Sequence, residues 1–216
     1  ALTEAAASTW QNVTGCQIQE AYGLTETSPA VSFNPYRDIR IGTIGKVVTG
    51  TQVKVISEDG TDLGFDQEGE LCVKGPQVMA GYWQRPEATA QVMDADGWFK
   101  TGDVAILAED GFIRLVDRIK DMINVSGFNV YPNEIDDIAS QHSGILECAA
   151  VGIPNSVSGE TVKLFVVKSD PNLTADDVIS HCREHLTAYK VPKEVEFRDD
   201  LPKTNVGKIL RRALRD

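Results

Sequence analysis

Cysteine is scarce and scattered: four residues, at 16, 72, 148 and 182, with no C-x-x-C pair. That spacing shows neither a zinc knuckle nor a disulfide framework, and reduced thiols of a cytosolic protein are the expectation. Long apolar runs are missing as well. No stretch approaches the roughly 18 uninterrupted apolar residues of a membrane span. Basic residues are in deficit, 21 Lys+Arg against 32 Asp+Glu, for a formal net charge of −11. A duplex-DNA binder needs a basic face to displace counterions, so no nucleic-acid partner is expected. The chain begins with Ala, and no charged-then-apolar secretory leader follows; processing or a longer parent are the two expectations. What is present is a globular balance: 216 residues, 42% hydrophobic and 25% charged, in both signs. Such a composition excludes intrinsic disorder and suffices for one core or two small ones.

The pattern divides the chain. Leu2, Ala6 and Trp10 stand four apart and predict a short helix over 2–13, ended by Gly15. A brief strand over 17–22 meets the turn at Gly23, and residues 30–50, rich in Gly, Pro, Asn and Arg, read as loop. From residue 52 the period becomes two, with strands over 52–56 and 70–74, and a hairpin of 104–107 and 112–116 around Glu109-Asp110-Gly111. Pro86 opens a helical interruption over 86–93. This predicts a small distorted β-barrel or curled sheet over 38–117. After Asp117-Arg118 come a strand over 122–125, a glycine turn at Gly127, a helix over 132–140 and strands over 145–153 and 161–168. Thr174 with Asp177 then forms a capping-box variant opening a helix whose buried face is Val178, Ile179, Cys182 and Leu186. The fold class is therefore α+β, with a boundary near Arg118 and a compact α+β domain over 118–216.

Four short constellations carry chemistry. Tyr22-Gly23-Leu24-Thr25-Glu26-Thr27 sets hydroxyls and a carboxylate after a glycine, where backbone can approach a ligand and Glu can bind Mg²⁺; the same residues can simply cap a turn. Asp103, in Thr101-Gly102-Asp103, suits ribose hydroxyls or a turn cap. Asp117-Arg118 offers a guanidinium fork for phosphate or ribose, or a structural ion pair. Lys208 follows Gly207 in a loop opened by Pro202, a flexible point charge suited to a developing oxyanion. Five basic residues and one acid lie in 203–216, which equally reads as a solvated helix end.

Taken in order, Y-G-L-T-E, T-G-D, D-R-x-K-D and P-K-T-x-x-G-K resemble the adenylate-forming superfamily of acyl-CoA synthetases, adenylation domains and luciferases. Asp117-Arg118-Ile119-Lys120-Asp121-Met122-Ile123 and Val125-Ser126-Gly127-Phe128-Asn129-Val130-Tyr131-Pro132-Asn133-Glu134 resemble bacterial long-chain fatty-acid–CoA ligases in particular. The resemblance runs through essentially the whole chain. It implies ATP, Mg²⁺ and coenzyme A as cofactors or co-substrates and a fatty acid as acyl donor. It also implies that Tyr22 packs on adenine beside Gly23 and Leu24, and that Thr25 contacts the α-phosphate. Glu26 would ligate Mg²⁺, and Asp103 would bind the ribose with Arg118 beside it. Lys208 would bridge carboxylate and phosphate, Lys120 would be the hinge, and Gly127 would line the pantetheine tunnel. Residues 1–37 would then end a large nucleotide-binding domain, and 118–216 would be a mobile one whose rotation exchanges Lys208 for Gly127 between two half-reactions.

The chain departs from the family in lacking a Ser/Thr/Gly-rich phosphate loop resembling S-G-T-T-G. The expectation is a C-terminal portion of a longer ligase, inactive by itself. Transfer to a carrier-protein thiol and a non-catalytic binding module of the same fold are the alternatives. His181 and His185, with His142 elsewhere, read as a solvated helix face rather than a metal site, and Glu134 as structural. Trp10, Trp83 and Trp98 read as barrel or core packing. The expected location is cytoplasmic, with at most weak peripheral contact at the inner face of the membrane.

Overall fold

The computed structural model describes residues 2, 4–205 and 207–215, with residues 4 and 5 described by their backbone alone. It forms two compact units, 1–119 and 120–216.

The first unit starts with α1 (Glu4–Thr14), closed by Gly15, whose N–H reaches the Gln11 carbonyl at 2.8 Å. The expected helix began two residues earlier. Leu2 instead donates its N–H to Glu20 at 3.0 Å, and Thr3 lies outside the described residues. The inward residue is Ala7, not Trp10, which is 49% exposed. Strands β1 (Ala21–Gly23), β2 (Ala30–Phe33) and β3 (Lys46–Val47) form an antiparallel sheet in that order. The expected loop over 30–50 therefore holds two strands. Polar residues in β2 and just after it conceal the pair: buried Ser32 donates to the Ile44 carbonyl at 2.8 Å, and buried Asn34, which follows the strand, donates to that of Thr43 at 2.7 Å.

A second sheet is the antiparallel meander β4 (Gln52–Ile56), β5 (Glu68–Lys74), β6 (Phe99–Leu107) and β7 (Ile113–Arg118), with α2 (Pro86–Val92) inserted before β6. It is open rather than a closed barrel, its edges β4 and β7 unpaired with each other among the described residues. Register shifts at Glu70/Cys72 and Val104/Ala105 add local twist. Val31, Val55, Leu71, Val73, Ala105 and Ile113 join the two sheets in one apolar core. The tryptophans do not contribute to it as expected. Trp83 is 87% exposed, and Trp98 is half-buried beneath the Lys54 ammonium, 4.5 Å from its ring centroid.

The second unit holds β8 (Ile123–Val125), β9 (Phe128–Val130), α3 (Pro132–Ala139), β10 (Ile145–Asn155), β11 (Gly159–Lys168), α4 (Ala175–His185) and β12 (Glu194–Phe197). The strand order is β10-β11-β8-β9, and β12, absent from the sequence reading, pairs parallel to β11. Strands β10 and β11 are buried on both faces. Alternate residues Cys148, Ala150, Val162, Leu164 and Val166 pack with α3 and α4, while Ala149, Val151, Phe165 and Val167 pack under Leu201 and Leu214. Double burial explains why both strands are near-continuous apolar runs. Burial also pushes the Cys72 thiol up to about 12 and that of Cys182 up to about 11, and raises Cys148 as well.

Candidate active site

The turn after β1 is built around glycine. A Cβ on Gly23 would lie 1.8 Å from the Pro29 carbonyl oxygen, so only glycine lets the returning chain close against it. Leu24 then donates its N–H to that same carbonyl at 3.0 Å. The fully buried Thr27 hydroxyl donates to the Pro29 carbonyl at 2.6 Å and accepts the Leu24 N–H at 3.0 Å. Thr27 is thus the internal brace, and the 3-10 turn Thr25–Thr27 leaves Thr25 exposed and Glu26 half-buried. Glu26 accepts the Tyr82 hydroxyl on Oε1 at 2.9 Å, and its carbonyl accepts the Met79 N–H at 2.8 Å.

Asp103 stands beside this turn in the same unit. It is opposite Arg118 in the β6–β7 register and only 6% exposed. Its Oδ2 accepts the Tyr22 hydroxyl and its Oδ1 faces Arg118 Nε at 3.3 Å. The Thr101 hydroxyl donates to the Leu71 carbonyl at 2.8 Å and accepts the Asp103 N–H at 3.1 Å, fixing the approach of β6. Burial, then the charge of Asp103, raises the Tyr22 phenol far above its ordinary value. The structure therefore brings Tyr22, Asp103 and Arg118 into one buried-to-surface chain of contacts. A carboxylate with lone pairs left over after two partners can accept further hydroxyl donors.

In the second unit, the segment holding Lys208 is a tight loop. Lys203 bridges to Ile209, Leu210 N–H reaches the Pro202 carbonyl at 2.7 Å, and Thr204 N–H reaches that of Lys208 at 2.7 Å. Val206 and Asp216 lie outside the described residues. Lys203 pairs with Glu147 at 2.7 Å and Asp200 at 3.1 Å. Arg211 pairs with Asp136 and donates to Asn133 at 2.8 Å. The Lys208 backbone bonds to Thr204 in both directions, its N–H donating to the Thr204 hydroxyl at 3.2 Å, whereas its exposed ammonium makes no hydrogen bond or ion pair among the described residues. The basic end is not the solvated helix end that its charge allows. It is a 3-10 turn, Arg211–Leu214, whose first arginine and last leucine are drawn inward.

Lys120 is exposed in the 3-10 turn Ile119–Asp121. Gly127, at φ +85° after Ser126 at +55°, makes the two-residue turn between β8 and β9 and donates its N–H to Asn124 at 3.0 Å. That pair of left-handed residues is what a tight hairpin of this hand requires. Glu134 pairs with Lys190 at 2.6 Å. His142 is not apart from the other histidines: its ring lies 5.3 Å from that of His181, which contacts the Ile138 carbonyl at 2.9 Å. Thr27 and Thr101, which brace the site, lie inside the quoted motifs without a role of their own assigned there, and Tyr82 lies outside every motif.

The model described as AMP-binding enzyme matches residues 1–83, and that of the AMP-binding enzyme C-terminal domain matches 134–208. These ranges include Tyr22 to Glu26 and Lys208; Asp103, Arg118, Lys120 and Gly127 fall between them. The chain is 60% identical over 211 residues to a long-chain-fatty-acid–CoA ligase of Salmonella typhimurium, covering 97% of this chain and 37% of that protein. It is 55% identical over 217 residues to one of Haemophilus influenzae, covering 100% and 38%. It thus spans under two fifths of the length of these curated relatives. Among solved structures, ATP-bound MatB from Rhodopseudomonas palustris superposes with a TM-score of 0.92 at 36% identity, over 98% of this chain and 42% of that one. With two consecutive segments matched and the fold shared throughout, the chain belongs to the AMP-binding, adenylate-forming enzyme family.

Proposed function

We propose that these residues form the nucleotide turn and the mobile lysine-bearing domain of an AMP-forming fatty-acid–CoA ligase. The observation that carries this is the contrast within the basic end. Lys203, Arg211 and Arg215 are engaged in ion pairs, whereas Lys208 and Arg212 carry none among the described residues, and of these two it is Lys208 that stands in the loop closed by the Thr204 and Leu210 backbone bonds. In this reading, 1–37 close a nucleotide-binding domain, 38–117 form its sheet subdomain, and 118–216 move. Similarity to long-chain-specific relatives supports a long acyl chain as substrate.

In the first half-reaction a fatty-acid carboxylate oxygen attacks the α-phosphorus of ATP and pyrophosphate leaves. Tyr22, with Gly23 and Leu24, packs on adenine, Thr25 holds an α-phosphate oxygen, and Asp103 with Arg118 holds the ribose. Lys208 reduces repulsion between two anionic reactants, which positioning alone cannot do. The Glu26 carboxylate, a hard oxygen donor with one oxygen on Tyr82, fits Mg²⁺. Bound there, Mg²⁺ would supply charge neutralisation at the phosphates. In the second half-reaction the CoA thiol attacks the acyl carbon and AMP leaves, with rotation at Lys120 withdrawing Lys208 and bringing the Gly127 turn to the pantetheine. We place the reaction in the cytoplasm, with at most weak peripheral contact at the inner membrane face. No helix of the described residues is long and apolar enough to cross a bilayer.

Lys208→Ala in a ligase carrying these residues should lower ATP–pyrophosphate exchange by about 10²–10³-fold, the scale of losing one preorganised oxyanion donor. Conversion of preformed acyl-adenylate with CoA should survive. Exchange at the full rate would refute the assignment of the lysine.

A further inference from the structure

Arg215 lies at the end of the segment that follows Lys208, yet its side chain reaches back to the start of the second unit. Its Nη1 donates to the Lys120 carbonyl at 3.1 Å and its Nη2 to the Asp121 carbonyl at 3.2 Å, with the Asp121 carboxylate at 3.5 Å from Nη2. A single 3-10 turn leaves its last carbonyls without an internal partner, and a planar guanidinium fork can collect two such oxygens at once. The turret of the fork is itself anchored. Leu214, one residue earlier, is 3% exposed in the apolar layer with Phe165 and Val167, and Arg211 is tied to α3 through Asp136 and Asn133.

We propose that Arg215 is a positioning residue that latches Lys120 and Asp121 to the second unit and thereby places the pivot immediately before the Lys120 carbonyl. The inference deepens the reading of Lys120 as the hinge and rests on it. Holding the Lys120 carbonyl oxygen fixes the planar peptide group that joins Lys120 to Asp121, and so φ of Asp121, along with everything after it. The nearest torsions left free are ψ and φ of Lys120 itself. The compact units divide next to these torsions, between Ile119 and Lys120. A latch of this kind keeps the loop bearing Lys208 and the hinge in one rigid body, so that a rotation at the pivot carries the lysine without slack.

The test uses Arg215→Met, which removes all the donors, and Arg215→Lys, which keeps one. In the 216-residue chain, cleavage by a lysine-specific protease after Lys120 should accelerate about tenfold in Arg215→Met, the effect of losing one net charge-assisted hydrogen bond on an opening equilibrium. Arg215→Lys should fall between, and cleavage after Lys54 and Lys163 should keep its rate, which controls for global unfolding. An unchanged rate after Lys120, or equal acceleration at all three sites, overturns the latch. In a ligase carrying the same variants, the partition of acyl-adenylate between CoA transfer and release to water should shift toward release. Faster nicking with an unaltered partition would overturn the hinge reading of Lys120 while leaving the latch in place.

Discussion

At the residue scale, the Tyr22–Asp103–Arg118 chain makes a prediction about pH. Burial and the Asp103 carboxylate raise the Tyr22 phenol above its ordinary value, so the folded chain holds a proton that the unfolded chain has lost. The associated stability is present in full below pH about 10, where an unfolded tyrosine is also neutral, and declines as pH rises beyond that point. Urea unfolding followed from pH about 9 to about 11 should therefore lose stability more steeply in the native chain than in Tyr22→Phe. Parallel slopes would show that the phenol is not held in this way. Sequence alone marks all three residues, because each sits in a motif of Gly, Asp or Arg. It does not reveal that they touch: Asp103 and Arg118 face each other only through a register that shifts at Val104/Ala105, and Tyr22 is 81 residues from Asp103. Tyr82 was invisible for the same reason, being 56 residues from Glu26.

At the scale of elements, α4 shows how far local rules reach. The Thr174 hydroxyl accepts the Asp177 N–H at 3.2 Å and the Asp177 carboxylate accepts the Thr174 N–H at 3.0 Å, the reciprocal cap expected from spacing alone. Thr174→Ala should cost about 1 kcal/mol, seen as a lower urea midpoint with an unchanged slope. An unmoved midpoint would mean that packing of Val178 and Cys182 holds the helix without its cap. Strands β4 and β5 are legible from their alternation, β10 and β11 from their apolar runs, α2 from Pro86 at its first turn and α4 from its cap. Strands β2 and β3 were not, since four and two residues give no period and their polar side chains are satisfied by distant carbonyls. Strand β12 was missed because its pairing with β11 is parallel and non-local. The basic end failed differently. Its charges predict exposure, but Asp136 and Asn133 draw Arg211 inward, so tertiary pairing overrides local composition.

At the scale of the whole molecule, the 216 residues by themselves are expected to give no ATP–pyrophosphate exchange with a long-chain acid. They contain the turn Tyr22 to Glu26 and Lys208 but no Ser/Thr/Gly-rich phosphate loop. Exchange above background would overturn that expectation directly. The double burial of β10 and β11 carries a practical consequence for anyone seeking to silence the reaction. Trimming the chain ahead of Leu201 would remove the proposed catalytic lysine, but it would also strip the roof from Phe165 and Val167 and leave a greasy plateau open to water. Such a truncation would be read as lost chemistry when much of the damage is lost solubility. A point change at Lys208, whose side chain is exposed and leaves Leu201 and Leu214 in place, separates the two.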